Sequence, residues 1–160
     1  MTETPKKPHV GIIVGSNRPF RICRVIAEWV LREIQHDELN FGLIDLAEIN
    51  LPFLDEPEMP ANHRYRKEHT KSWSALISQY DGFVLVFPLY NWGYPAVLKN
   101  ALDFLYGEWS GKPVCIMCYG THGGTKGASA MLSVTQGCCR RLETDPPADR
   151  LVDPRRHAES

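Results

Sequence analysis

Phe83 to Gly107 reads FVLVFPLYNWGYPAVLKNALDFLYG, and this stretch decides the fold. FVLVF is apolar without alternation, as a strand buried on both faces requires. The loop PLYNWGYP follows, stiffened by Pro88 and Pro95, and Val97, Leu98, Ala101, Leu102 and Leu105 then recur at helical spacing between Ala96 and Tyr106. Such a strand belongs to a parallel sheet, and open α/β sheets bind ligands at loops leaving the carboxyl ends of their strands. Flat rings and one amide side chain suit this loop to a planar heterocycle.

The same alternation extends in both directions. Val10 to Val14 (VGIIV) ends in Gly15-Ser16-Asn17-Arg18, and a helical pattern follows with Val25, Ile26, Trp29, Val30 and Ile34 on one face. Phe41 to Leu46 is a second apolar run, leading into the Pro- and acid-rich loop NLPFLDEPEMPANHR. A helical segment from about Tyr65 to Tyr80 carries Trp73, Leu76, Ile77 and Tyr80, and Pro113 to Tyr119 is a further apolar run. A Gly-rich turn, Gly120 to Gly127, then opens a helical pattern reaching about Gln136. Strands interleaved with helices imply right-handed crossovers and a doubly wound α/β domain. It is expected over residues 9–137, after a flexible stretch at 1–8, with Trp29 and Trp73 in the core.

The carboxyl end breaks the pattern. Residues 138–160 are rich in proline and charge, and are expected to be irregular. Leu142 and Leu151-Val152 offer at best a weak fifth strand, and no final amphipathic helix follows. One face of FVLVF and VCIMC is then expected to lack cover, which an uncommonly large exposed apolar patch would require the chain to shield by pairing.

Composition narrows the classes of function. The 160 residues are 43% hydrophobic and 23% charged, with a net charge of -1 and the two signs interspersed. That balance argues against nucleic acid or an anionic membrane as partner. No apolar run approaches the ~18 residues of a membrane span, and MTETPKKPHV lacks a signal-peptide core. Five cysteines, an odd number, point to reduced thiols in the cytoplasm rather than a disulfide framework. Cys115 and Cys118 are spaced as C-x-x-C, but on a strand they face opposite sides, so core thiols are expected and no metal site.

Gly15-Ser16-Asn17-Arg18, between a buried strand and a helix, has the parts of an anion cradle. Glycine permits the sharp turn, the first helical N–H groups point outward, and Arg18 and Arg21 add charge. The plainer alternative is an ordinary strand-to-helix turn capped by Ser16, with solvated arginines. There is no G-x-x-x-x-G-K-[ST], no G-x-G-x-x-G after the first strand and no G-x-S-x-G, which disfavours a nucleoside triphosphatase, a Rossmann dinucleotide site and a serine hydrolase.

The loops GSNRPFR, PLYNWGYP and YGTHGGTKG open on one edge of such a sheet. They supply a phosphate cradle, a rigid aromatic wall and a flexible Gly-rich strip. A mononucleotide with a flat ring fits that arrangement, and FMN fits best among common cofactors. GSNRPFRICRVIAEWV, LPFLDEPEMP, HTKSWSALISQYDGFVLVFPLYNWGYPAVLKNALDFL and GKPVCIMCYGTHGG together resemble the NADPH-dependent FMN reductase family, in order from Val10 to Met131. The resemblance implies a flavodoxin-like sheet in the order 2-1-3-4-5 and noncovalent FMN. It also implies NADPH or NADH as reductant, a quinone, free flavin or other small acceptor, and a homodimer or tetramer. Carried over residue by residue, Ser16, Arg18, Arg21, Ile22 and Cys23 would hold the phosphate. Pro88, Leu89, Tyr90, Asn91, Trp92 and Gly93 would flank the isoalloxazine, and Gly120, His122, Gly123 and Gly124 would close the opposite edge. Leu89 stands where many relatives carry Glu or Gln.

In that reading the chemistry is flavin-borne and no protein nucleophile or base is needed. His122 has two readings, a contact at the flavin edge or the nicotinamide phosphate, and an exposed loop histidine. A non-catalytic flavodoxin-like binding module, or an inactive variant, is the alternative to the enzyme.

Overall fold

The computed structural model describes residues 6–138. Four parallel strands form one sheet in the order β2-β1-β3-β4. They are β1 (His9–Val14), β2 (Asn40–Asp45), β3 (Gly82–Pro88) and β4 (Val114–Tyr119). This is the flavodoxin-like arrangement over the strands described. The expected weak fifth strand, the irregular tail after Cys138 and the Cys138–Cys139 pair lie outside the residues whose side chains are described. Val14 stands beside Asp45 on one flank and Val86 on the other, and Pro88 stands beside Tyr119. The carboxyl ends of all four strands therefore share one edge.

Two apolar layers sandwich the sheet, and they are unequal. On one face α2 (Leu46–Ile49), α3 (Glu68–Ile77), α4 (Ala96–Asp103) and α5 (Thr125–Cys138) contribute to a large core with Ile13, Ile44, Leu85, Phe87 and Cys118. Trp73 and Trp109 meet edge-on there at 6.2 Å, and Phe83 meets Trp109 at 5.1 Å. Both indole N–H groups are satisfied, Trp73 donating to Ala101 O at 2.9 Å and Trp109 to Leu102 O at 3.2 Å. Fully buried indoles thus leave no unpaired donor.

The opposite face carries α1 (Cys23–Glu33) alone among the described helices, packed on Ile12, Val14, Val84 and Val86. Its buried residues are Cys23, Ala27 and Val30, small or branched side chains that allow close approach to the sheet. Val25 and Trp29, expected in this core stripe, are 62% and 49% exposed. The cause is geometric: helical spacing groups Val25 and Trp29 with Val30, but only the strip carrying Cys23, Ala27 and Val30 is turned fully into the sheet. Cys115, expected to be a core thiol, is exposed for the same reason, since it lies on the β4 face with Met117 and Tyr119.

Two boundaries shift from expectation. Tyr65 to Lys67 lie before α3, where Glu56 accepts hydrogen bonds from Arg66 N and Lys67 N at 3.0 and 2.9 Å. The acid-rich run is thus pinned to a helix start, with Asp55 on His69 and Glu58 on Arg66. The glycine turn ends earlier than expected, and α5 begins at Thr125 with Gly127 already helical. A Cβ at Gly127 would stand 2.7 Å from Cys118 Sγ, so the helix lies against β4 at a distance that only glycine permits.

Away from the carboxyl edge, Glu108 is a carboxylate only 7% exposed. It accepts from Ser74 Oγ at 2.6 Å and from Tyr65 OH at 2.9 Å. Burial alone would raise its pKa, but the hydrogen bonds from Ser74, its own backbone and Tyr65 hold it below the ordinary 4.5. A depressed carboxylate stabilises the fold fully above its unfolded value, and that stability is lost as pH falls through the folded value. Glu108→Gln is expected to cost about 1–2 kcal/mol at neutral pH and to flatten the decline in stability between about pH 5 and pH 3. Urea unfolding across that range checks it, and an acid slope as steep as wild type would remove Glu108 from the effect.

Candidate functional site

Three loops leave the carboxyl edge of the sheet side by side, after β1, β3 and β4. The first turns at Gly15, whose N–H donates to Val86 O at 2.8 Å. A Cβ there would stand 3.0 Å from Leu98 Cδ2 and Phe87 Cβ, so glycine sets how closely the loop lies on β3. Ser16 is fully buried, with its Oγ 3.0 Å from Tyr90 OH and 3.4 Å from Arg18 N. Asn17, Arg18, Pro19 and Phe20 are exposed, and Arg21 N closes the turn onto Arg18 O at 3.2 Å.

The start of α1 has no side-chain cap, so the N–H groups of its first turn are left to a ligand or to water. Charge around this turn is divided. Arg21 donates to the buried Asp45 at 2.6 Å, and Arg24 donates to Asp45 at 3.0 Å, to Glu28 at 2.9 Å and to Glu48. Asp45 also accepts from Ala47 N at 3.0 Å, capping α2. Arg18 makes no ion pair among the described residues, so its exposed cation is the one left to face an anion. Arg21 Nε is buried without a hydrogen-bond partner among the described residues.

The second loop is rigid. Tyr90 and Gly93 exchange backbone hydrogen bonds at 3.0 and 2.9 Å around a two-residue turn. Asn91 and Trp92 occupy it with φ of 46° and 67°, a left-handed conformation costing about 1 kcal/mol or more for each non-glycine residue. Leu89 N bonds Tyr119 O at 2.7 Å, tying the loop to β4. Trp92 is 67% exposed, and Lys126 Nζ lies 5.4 Å from its ring centroid.

The third loop turns on positive φ at Gly120, His122, Gly123 and Gly124. A Cβ on Gly124 would stand 2.5 Å from Cys118 O, so the backbone folds directly over the end of β4. Gly120, Thr121, His122 and Gly123 are exposed, which leaves this strip available along one side of the edge.

A family profile described as NADPH-dependent FMN reductase matches residues 8–141. The chain belongs to that family. The reductase is 46% identical over 145 residues to an NAD(P)H-dependent FMN reductase of Schizosaccharomyces pombe, covering 88% of this chain and 72% of the relative. With the NAD(P)H-dependent FMN reductase of Saccharomyces cerevisiae it shares 42% over 140 residues, 80% of this chain and 73% of that one. In fold it is similar to the flavoenzyme FerB of Paracoccus denitrificans, with a TM-score of 0.69 at 22% identity over 89% of this chain and 77% of that one. The reductase is therefore an oxidoreductase with FMN as its flavin and a reduced nicotinamide as its reductant.

Fourteen of the fifteen residues singled out in the sequence lie on the three loops or at the start of α1, and Pro88 ends β3, but their side chains do different things. Arg18, Ile22, Asn91, Trp92, Gly120, His122 and Gly123 are exposed at this edge. Leu89, Tyr90 and Gly93 are half-buried, and Pro88 and Gly124 are buried. Arg21 is directed to Asp45. Cys23 is 0% exposed, its thiol donating to Val86 O at 3.2 Å, and burial pushes its pKa up, so its side chain is not presented at this edge. Asp45, Tyr119 and Lys126, which the sequence reading does not include, contact residues of these loops, through Arg21, Leu89 and Trp92 respectively. Asp45 had a local signal, a carboxylate closing the second apolar run, whereas Tyr119 and Lys126 gave none.

Proposed function

We propose that this reductase binds FMN at the carboxyl edge and oxidises NAD(P)H to reduce quinones, free flavin or similar small acceptors. The observation that carries the proposal is the convergence on one edge of Arg18, without an ion pair among the described residues, the uncapped start of α1, the rigid Tyr90–Gly93 turn and the glycine strip. These residues fit FMN: Arg18 and the first N–H groups of α1 suit the phosphate, by charge and by the helix dipole. The turn at Asn91-Trp92 would flank the isoalloxazine, and the paired Tyr90–Gly93 bonds hold it in shape despite its strain. Gly120, His122, Gly123 and Gly124 would line the opposite edge, where backbone N–H groups stabilise negative charge on the ring. When bound, the flavin would supply the redox chemistry, hydride transfer from NAD(P)H through its N5 to the acceptor, and these residues would hold and orient it.

Curated relatives named 2-hydroxy-1,4-benzoquinone reductase and NADPH azoreductase, 29% and 32% identical, support a flat and unspecialised acceptor. A homodimer is part of the same reading, because Phe53 and Met59 expose 85% and 70% of their surface on the loop before α3. No helix among the described residues is long and apolar enough to cross a membrane.

The test is the visible spectrum of the purified protein and its oxidation of NADPH with a quinone. Arg18→Glu is expected to weaken FMN binding at least tenfold, because it replaces an attractive charge beside the phosphate with a repulsive one. A wild-type protein that is colourless and cannot be reconstituted with FMN would defeat the enzyme reading. Unchanged flavin retention in Arg18→Glu would defeat the phosphate assignment.

A further inference from the structure

We infer that Lys126, held beside the Trp92 ring, biases this reductase toward flat acceptors that carry a negative charge, such as ionised hydroxyquinones. The inference rests on the FMN reading of the site and adds the charge of the acceptor to it. Lys126 is exposed, and its Nζ lies 5.4 Å from the centroid of the Trp92 ring. It makes no ion pair among the described residues. Trp92 is itself 67% exposed, so ring and cation face solvent together at the carboxyl edge.

Two further observations set this cation apart from an ordinary surface lysine. Lys126 is the second residue of α5, and no acidic residue accompanies it in that first turn. The amino end of a helix carries partial positive charge, so a lysine there opposes the helix dipole, and an anion beside it is attracted by both. Residues 15–21, 89–94 and 120–126 moreover contain no Asp or Glu, yet they carry Arg18, Arg21 and Lys126. Loops of one sign raise the local concentration of a ligand of the other. Arg21 is taken up by Asp45, and Arg18 is assigned to the flavin phosphate, which leaves Lys126. The two redox partners differ in where they carry charge. The extra phosphate of NADPH sits on its adenosine, remote from the nicotinamide, whereas Lys126 adjoins a residue of the ring wall. A compact acceptor with its charge on its own flat ring fits that placement.

2-Hydroxy-1,4-naphthoquinone, ionised at neutral pH, and its neutral methyl ether share one ring system and so separate charge from shape. Reoxidation of the reduced, FMN-loaded full chain by each quinone, followed by stopped-flow absorbance, keeps NADPH binding out of the measured step. Lys126→Gln is expected to lower the second-order rate for the hydroxyquinone about fivefold relative to the ether, the effect of one exposed charge pair. Lys126→Arg is expected to keep the wild-type ratio, and added salt to shrink the preference more in wild type than in Lys126→Gln. An equal loss for both quinones, or no loss for either, would overturn the inference. So would a loss confined to NADPH against NADH in the reductive half-reaction, which would place the cation on the donor's phosphate. Visible spectra read the flavin content of each variant, and release of FMN from Lys126→Gln would overturn the inference by placing Lys126 on the flavin. A wild-type chain that cannot be loaded with FMN defeats the FMN reading and this inference with it. A flavin-loaded enzyme with an unselective Lys126→Gln defeats this inference alone.

Discussion

Gly124→Ala is expected to destabilise the reductase by about 3–5 kcal/mol, close to the whole stability of a small domain. Two effects combine. The residue sits at φ +72°, where a Cβ costs about 1–2 kcal/mol, and that Cβ would stand 2.5 Å from Cys118 O and 2.6 Å from Cys118 C. Both obstacles are backbone atoms of β4, which cannot rotate away as a side-chain tip can. Relief requires the whole glycine strip to lift from the strand, so FMN binding is expected to fall with stability. Gly123→Ala is the internal comparison: φ is +70°, but nothing lies within 4 Å of a Cβ there. It should cost about 1–2 kcal/mol, from backbone strain alone. Urea unfolding of the two variants reads the difference, and equal losses would show that the contact with Cys118 is not what holds the strip down.

Trp73→Ala is expected to cost about 3–5 kcal/mol and to leave a chain at the edge of folding. Trp73 is 1% exposed, its ring meets Trp109 edge-on, and its indole N–H satisfies Ala101 O. Truncation opens a cavity and strands that carbonyl in an apolar layer. Trp29→Ala, half-exposed on α1, is expected to cost about 1 kcal/mol or less. Thermal melts of the two variants check the contrast, and similar melting temperatures would place Trp29 in an interface that covers α1.

These two tryptophans mark where local reading stops. Each lies on an apolar stripe at helical spacing, and the sequence gives them the same environment. Spacing reports which residues share a helix face, but not how much of that face finds a partner. For α3 that partner is a layer of helices and the Trp109 segment, whereas α1 meets only the sheet. Cys115 and Cys118 divide in the same way, since alternation places them on opposite faces and α5 covers Cys118 while Cys115 stays exposed.

By itself, the sequence determined the order of elements, the parallel sheet and the three loops that share its functional edge. Apolar runs, helical periodicity and Gly or Pro at the turns are local quantities, and they act over a few residues. Phe83 to Gly107 was enough to set a buried strand, a stiff loop and a helix in that order. Only the tertiary structure decided what each loop residue does. Arg18 and Arg21 are indistinguishable in the sequence, yet Asp45, 24 positions beyond Arg21, takes up one guanidinium and leaves the other to face an anion. Ser16 reads as part of a local turn, yet its hydroxyl lies 3.0 Å from that of Tyr90, 74 positions away. Electrostatic pairing and burial depend on distances between residues remote in the chain, and folding alone sets those distances.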